Sequence, residues 1–379
     1  MGNYMGISFT DEGDSYGTNK LFTKEPQFYW RIKSADPDWN FGEFDDEDLD
    51  ELRVGYPEPA GTVELSGAHI QALPTIMYAL LGNYLYTEGY STETVVTGKD
   101  KDGNDITKTV NLNMHEFWAG NGLEVPEWCA NMIYEVGNQT MIDGAVMDSF
   151  EINAGLNKTT AECGFVYRNE QSKEINVETV IQNKNILQAL PLVGYDWTVT
   201  LTVNDDTTDE QITPCFNEVN ISINNNILTG DDVRCLGKDR YGFKPSMEKR
   251  EIEVTGKIKL TPATLPLINK LKYKGNTQSE GGWRYWNKCH NIDGSLKLRA
   301  TSCLDSAEWV EFYFPKAAIN IDPIKIEDGN VDVDLSLKLY NTKKVSLTQK
   351  VDPTKEDSDY IKVVTPMRVK IQTRAGKVE

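Results

Sequence analysis

The chain has 379 residues, ample for two ordinary domains and long for one. Hydrophobic residues make up 39%, with 17 Tyr, 12 Phe and 8 Trp, so real cores can form and global disorder is excluded. A formal net charge of -19 argues against a protein that grips DNA or an anionic membrane, because phosphate is repelled. The same acidity suits a surface that DNA must slide past, and it serves solubility equally well.

Period-two alternation dominates and predicts a mainly β protein. In chain order, the acidic run Asp45-Asp46-Glu47-Asp48-Leu49-Asp50-Glu51 reads as a solvated loop. Val63-Glu64-Leu65-Ser66-Gly67 reads as a strand end, followed by a short helix over Pro74–Leu81 that Gly82 stops. Ser91–Leu112 reads as a hairpin arm. Its sides, Thr92–Thr97 and Ile106–Leu112, flank the turn residues Lys101–Asp105, and at roughly 3.3 Å per residue the arm could reach about 30 Å. It holds too few large apolar residues for its own core, so it is expected to lie on a neighbour. Its candidate contact residues are Thr92, Val95, Val96, Asp102, Gly103, Ile106 and Val110. Ser149–Ala154 and Cys163–Tyr167 form a second hairpin, and Ile175–Ile181 a further strand.

Beyond Asn185–Leu192, strands are predicted at Trp197–Val203, Val219–Ile223 and Ile252–Gly256, then a helix over Ala263–Leu271. Pro262 and Pro266 lie before or in its first turn, where proline is tolerated. A hairpin of Ser295–Ala300 with Trp309–Phe314 and a strand over Val331–Leu339 complete the series.

The order of these elements repeats. Val63-Glu64-Leu65-Ser66-Gly67 and Ile252-Glu253-Val254-Thr255-Gly256 share one pattern, about half the chain apart, and each precedes a short helix. The hairpins at 149–167 and 295–314 follow in the same order. The expectation is an internal duplication, residues 1–188 and 189–379, each a β-sandwich with a flanking helix. Glu64, Gly67 and Leu80 are matched to Glu253, Gly256 and Leu271.

Catalytic and metal motifs are weak. Asp100–Asp105 superficially resembles a calcium loop, but position twelve is Asn111 and strands flank it, so a hairpin turn is the reading. Cys289-His290 have only Cys303 near zinc-ligand spacing. His69, His115 and His290 come without a Gly-x-Ser-x-Gly elbow, and no phosphate-binding Gly-Lys loop exists. No enzyme, metal or cofactor is expected. The six cysteines show no Cys-x-x-Cys pair and read as reduced, structural thiols. Met1–Gly6 shows no secretory pattern, and the apolar stretch Ile70–Leu81 is too short to span a bilayer, so a soluble product of the cytoplasm is expected. The aromatic clusters Phe28-Tyr29-Trp30 and Trp283-Arg284-Tyr285-Trp286 read as core or interface anchors, with a carbohydrate platform as the other reading.

Three stretches together resemble the major tail tube proteins of long-tailed bacterial and archaeal viruses. They are Gly61–Gly82 (strand, Gly, short helix ending Leu-Leu-Gly), Pro126–Arg168 (strand, connection and hairpin), and Glu218–Ile227 with Lys249–Gly256 (strand, Asn-Asn turn, strand). The resemblance implies a virion structural protein without catalytic residues, built of β-sandwich domains, six of which close a ring around a continuous barrel. A chain with two such domains would form a trimeric, pseudo-sixfold ring, the homohexamer being the alternative. Rings would stack head-to-tail, with tape-measure and tail-terminator proteins as further partners, viral DNA passing through the lumen without specific binding, and no membrane. A carbohydrate- or receptor-binding sandwich of a virus surface is the competing function.

Overall fold

The computed structural model describes residues 6–11, 30–41, 57–65, 68–99, 101, 104–120, 128–133, 138–167, 169–174, 192–204, 209–212, 216–228, 247, 249–262, 264–266, 268, 293–302, 307–321, 325–327, 330–340, 343–351, 354–355 and 358–378. The expected strand at 175–181, the acidic run at 45–51 and the cluster at 283–286 lie outside them, as do Phe28 and Tyr29.

The protein is mainly β and antiparallel. In the first half the elements are β1 (Gly6–Asp11), β2 (Trp30–Phe41), β3 (Pro57–Leu65), α1 (Leu73–Leu81), β4 (Asn83–Lys99), β5 (Asp105–Trp118), β6 (Trp128–Ile133), β7 (Asn138–Gly155), β8 (Thr159–Val166) and β9 (Asn169–Glu174). The second half holds β10 (Trp197–Asn204), β11 (Asp209–Ile212), β12 (Phe216–Asn224), β13 (Glu251–Lys259), β14 (Asp293–Thr301), β15 (Trp309–Ile321), β16 (Lys325–Glu327), β17 (Asn330–Leu339), β18 (Lys344–Lys350), β19 (Tyr360–Val364) and β20 (Arg368–Thr373).

In the first half β1 pairs β6, and β6 pairs the leading part of β7, whose opposite edge takes β9. The trailing part of β7 pairs β8, β8 pairs β3, and β3 pairs β2. In the second half β10 pairs β14, and β14 pairs β15, whose opposite edge takes β20 along its leading part. The trailing part of β15 pairs β17, β17 pairs β13, and β13 pairs β12. The halves meet edge to edge where β12 pairs β7, Glu218–Asn224 running against Ser149–Gly155. One antiparallel sheet thus runs β2-β3-β8-β7-β12-β13-β17-β15.

Register gives this sheet a sidedness. One row crosses it as Ile32, Leu65, Ala161 and Ile152 in the first half, then Ile221, Val254, Leu337 and Ile319 in the second. Ala161, Ile152, Ile221, Val254, Leu337 and Ile319 are all buried. Burying a Val, Leu or Ile contributes about 1.5–3 kcal/mol, which fixes the pairing, because a one-residue slip would turn these six side chains outward.

α1 closes over the junction of the halves. Leu73, Pro74, Ile76, Met77, Ala79, Leu80 and Leu81 are all buried, so it is apolar nearly all round. Gly82 ends it at φ 73°, donating its N–H to the Tyr78 carbonyl, a conformation that Gly adopts without a Cβ penalty. In the second half, helical hydrogen bonds run from Leu265 N–H to the Thr261 carbonyl and from Ile268 N–H to the Thr264 carbonyl. Ala263, Leu267 and 269–271 of the expected helix lie outside the described residues. Gly256 does not end a strand as expected, since β13 continues to Lys259 and buries Ile258.

Candidate assembly and conduit surfaces

The stretch expected as an arm, Ser91–Leu112, falls within β4 and β5. β4 and β5 pair from Asn83↔Trp118 to Lys99↔Asp105, with register irregularities at Thr87/Ser91 and Val96/Gly98. Its base is built into the second half, where Asn113–Trp118 pair with Arg368–Thr373 of β20. Tyr84 stacks on Phe117 with ring centroids 4.9 Å apart, and its hydroxyl bonds His115 Nδ1 at 2.9 Å. His115 Nε2 faces the Ala375 carbonyl at 3.2 Å, and Val378 N–H donates to the Tyr84 hydroxyl at 3.3 Å. These bonds assign the His115 proton to Nε2, and burial lowers its pKa from 6.5 to about 4. Glu116, fully buried, accepts the Thr348 N–H at 2.6 Å and faces the Lys370 ammonium at 3.1 Å. The base therefore ties together β5, β18, β20 and the residues after β20.

Beyond the base the β5 side of the hairpin is largely exposed. Asn104–Thr109 and Asn111 are open to solvent, Ile106 being 48% exposed. Of the candidate contact residues, Thr92 and Ile106 are exposed and Val110 is half-buried. Val95 and Val96 lie on β4, and Asp102 and Gly103 lie outside the described residues. Such a hairpin, with an apolar foot and a polar, β-prone shaft, cannot hold a core of its own.

The matched pairs fall as follows. Glu64 and Glu253 sit in β3 and β13, Leu80 is buried in α1, and Gly256 lies inside β13. Gly67 and Leu271 lie outside the described residues.

On β8, β7, β12 and β13 the sheet face opposite the aliphatic row is polar and acidic. Ser34, Glu64, Glu162, Glu151, Ser222 and Glu253 stand opposite one another in that order across β2, β3, β8, β7, β12 and β13. Glu151, Glu162 and Glu253 are exposed. The neighbouring row continues Thr160, Asn153, Asn220, Thr255, Ser336 and Asn320. Like charges directly opposite each other oppose sheet formation by roughly 0.2–1 kcal/mol per pair, so folding alone does not favour the glutamate row.

A polar knot at the junction of the halves was not foreseen from sequence. Asn225 Nδ2 donates to the carbonyls of Leu80 (3.0 Å) and Met147 (2.8 Å), and its Oδ1 accepts from Arg250 Nε at 2.7 Å. Arg250 also reaches the Leu80 carbonyl at 3.1 Å, and Ile227 N–H donates to Asp148 at 2.8 Å. Burial raises the Asp148 pKa and lowers that of Arg250 to about 10. The Asn224-Asn225-Asn226 run was its only sequence signal; Asn226 takes the positive φ of 47° that Asn tolerates best after Gly.

Among the described residues no group of three His, Cys, Asp or Glu side chains could hold a metal ion, and no helix is long and apolar enough to cross a membrane. No protein-family model matches the chain, and no curated protein matches its sequence.

Proposed function

We propose that the chain is a structural virion protein, a tandem of two tail-tube-type domains (1–188 and 189–379) that polymerises as stacked rings into the hollow tail tube conducting a viral genome. The observation that carries this reading is the recurrence of strand connectivity. β1-β6-β7-β9 with β7-β8-β3-β2 is followed, in the same chain order, by β10-β14-β15-β20 with β15-β17-β13-β12. On this scheme β15 and β17 are the counterparts of β7 and β8, one strand later than the hairpin match made from sequence. The motif that matched Leu65 with Val254 puts both on the one aliphatic row, in corresponding strands.

Two units already joined edge to edge make half of a four-unit array or a third of a six-unit one, and the reading takes the latter: three chains to a pseudo-sixfold ring. Closing the sheet removes edges that would otherwise invite uncontrolled pairing. The glutamate face lines the bore, where it keeps DNA phosphate from adhering. The exposed shaft of the arm bridges to a neighbouring ring or protomer. Tape-measure and tail-terminator proteins are the further partners, and no catalysis or cofactor is involved. Negative-stain electron microscopy of the concentrated protein tests this: hollow tubes are expected, and dispersed particles at every concentration would overturn it.

A further inference from the structure

We infer that the outer edge of β19 is a docking strand for an extended segment of another protein, one in which apolar residues flank a central Asp or Glu. The inference goes beyond the tube reading, because it concerns a surface of the single chain.

Three observations carry it. The first is the edge itself. Thr365 N–H donates to the Lys343 carbonyl, and Val351 N–H to the Asp359 carbonyl. Odd-numbered residues of β19 thus turn their backbone groups towards β18, and alternation turns those of Tyr360, Lys362 and Val364 outwards. Among the described residues β19 pairs β18 alone. An edge of this kind takes up an extended peptide through main-chain hydrogen bonds.

The second is how the hairpin is held. Val345 and Leu347 of β18 are buried. The far edge of β18 is already taken by side chains of the main sheet: the Ser346 carbonyl accepts from Arg368 Nη1 at 2.8 Å, and Thr348 N–H donates to Glu116 at 2.6 Å. The hairpin is therefore anchored without using the β19 edge.

The third is the chemistry of the exposed face. Lys344 stands opposite Val364, Ser346 opposite Lys362 and Lys350 opposite Tyr360. Tyr360, Lys362 and Val364 are all exposed. The two strands hold Lys344, Lys350 and Lys362 and no Asp or Glu, in a chain with 58 acidic residues against 39 basic. An antiparallel partner therefore meets an apolar, cationic, apolar row. A second copy is disfavoured: with Tyr360 against Val364, its own β19 would set Lys362 against Lys362, and like charges directly opposite are destabilising. A carboxylate at that place replaces repulsion by attraction, so the lysine that turns a copy away selects an acidic partner.

The probe is a fluorescein-labelled peptide, Thr-Val-Thr-Glu-Thr-Val-Thr, whose Val, Glu and Val fall opposite Val364, Lys362 and Tyr360. Anisotropy titration with the full chain, dilute enough to stay dispersed, should show saturable binding. The same peptide with Lys in place of Glu should bind about tenfold more weakly. Lys362→Glu, at an exposed position, should keep the wild-type melting temperature and reverse that preference. Val364→Pro, which removes an outward N–H and spares the bonds to β18, should weaken both peptides. No binding of the Glu peptide, or a preference that Lys362→Glu leaves unchanged, would refute the docking strand. A labelled oligonucleotide bound in place of the peptides, lost in Lys362→Glu but kept in Val364→Pro, would assign the lysines to a polyanion and overturn it. Wild-type dimers in sedimentation that Val364→Pro disperses would give the edge to a second copy and also overturn it. None of these readouts involves tubes, so the tube reading stands or falls separately.

Discussion

Glu116 and His115 are adjacent on β5, and the strand's alternation sends them to opposite faces of the same buried foot. Glu116 is held by the Thr348 amide and the Lys370 ammonium, which is itself only 18% exposed. Removing one partner of such a pair leaves the other charge stranded in a poor solvent. Glu116→Ala should therefore cost about 3–5 kcal/mol in urea denaturation, and Glu116→Met with Lys370→Met should recover much of that loss. His115 gives a pH prediction of definite sign. Its folded pKa of about 4 lies under the ordinary 6.5, so between these values the unfolded chain binds a proton that the folded chain excludes. The stability from the neutral ring is complete above pH 6.5 and is lost as pH falls towards 4, by at most about 3 kcal/mol. The advantage of wild type over His115→Gln should shrink accordingly between pH 7 and pH 4; a constant difference would show that the ring titrates normally.

At the scale of elements, the β4–β5 hairpin lets the proposed assembly be tested apart from folding. Its foot, from Leu112 to Trp118, belongs to the second half's sheet, while the shaft beyond Ser91↔Leu112 buries little. Replacing residues 92–111 with a short glycine turn should leave the melting temperature within a few degrees of wild type and abolish tube formation in the electron microscope. Normal tubes would remove the arm from the assembly. Much of this level was legible in sequence. Alternation in 197–203, 219–223 and 331–339 matched β10, β12 and β17, because half-buried antiparallel strands write their sidedness into every second residue. Pro74 and Gly82 bracketed α1 closely. The length of β7 was hidden, since Asn138–Ala145 serves a different pair of neighbours from Ser149–Gly155 and its composition carries no single period. Gly256 misled because a glycine inside a strand and one at its end look alike; here its Cα lies against the Glu218 carbonyl and the Phe216 ring, 3.1 Å from where a Cβ would sit. The junction knot of Asn225, Arg250 and Asp148 was illegible, because its hydrogen bonds join positions far apart in the chain.

For the whole molecule, a small part of the acidic complement gathers across strands. Glutamates that looked like ordinary solvated residues along the chain, Glu64, Glu151, Glu162 and Glu253, become neighbours only when strands from both halves are laid side by side. Glu151→Lys with Glu162→Lys should make assembled tubes retain duplex DNA at low salt and release it as salt rises, whereas wild-type tubes retain none. The central claim is that one chain supplies two units of a sixfold wall. Counting chains per ring by cryo-electron microscopy of the tubes tests it most directly. Three chains, each spanning a third of the circumference, is the predicted result; six chains per ring, or particles with no closed ring, would contradict it.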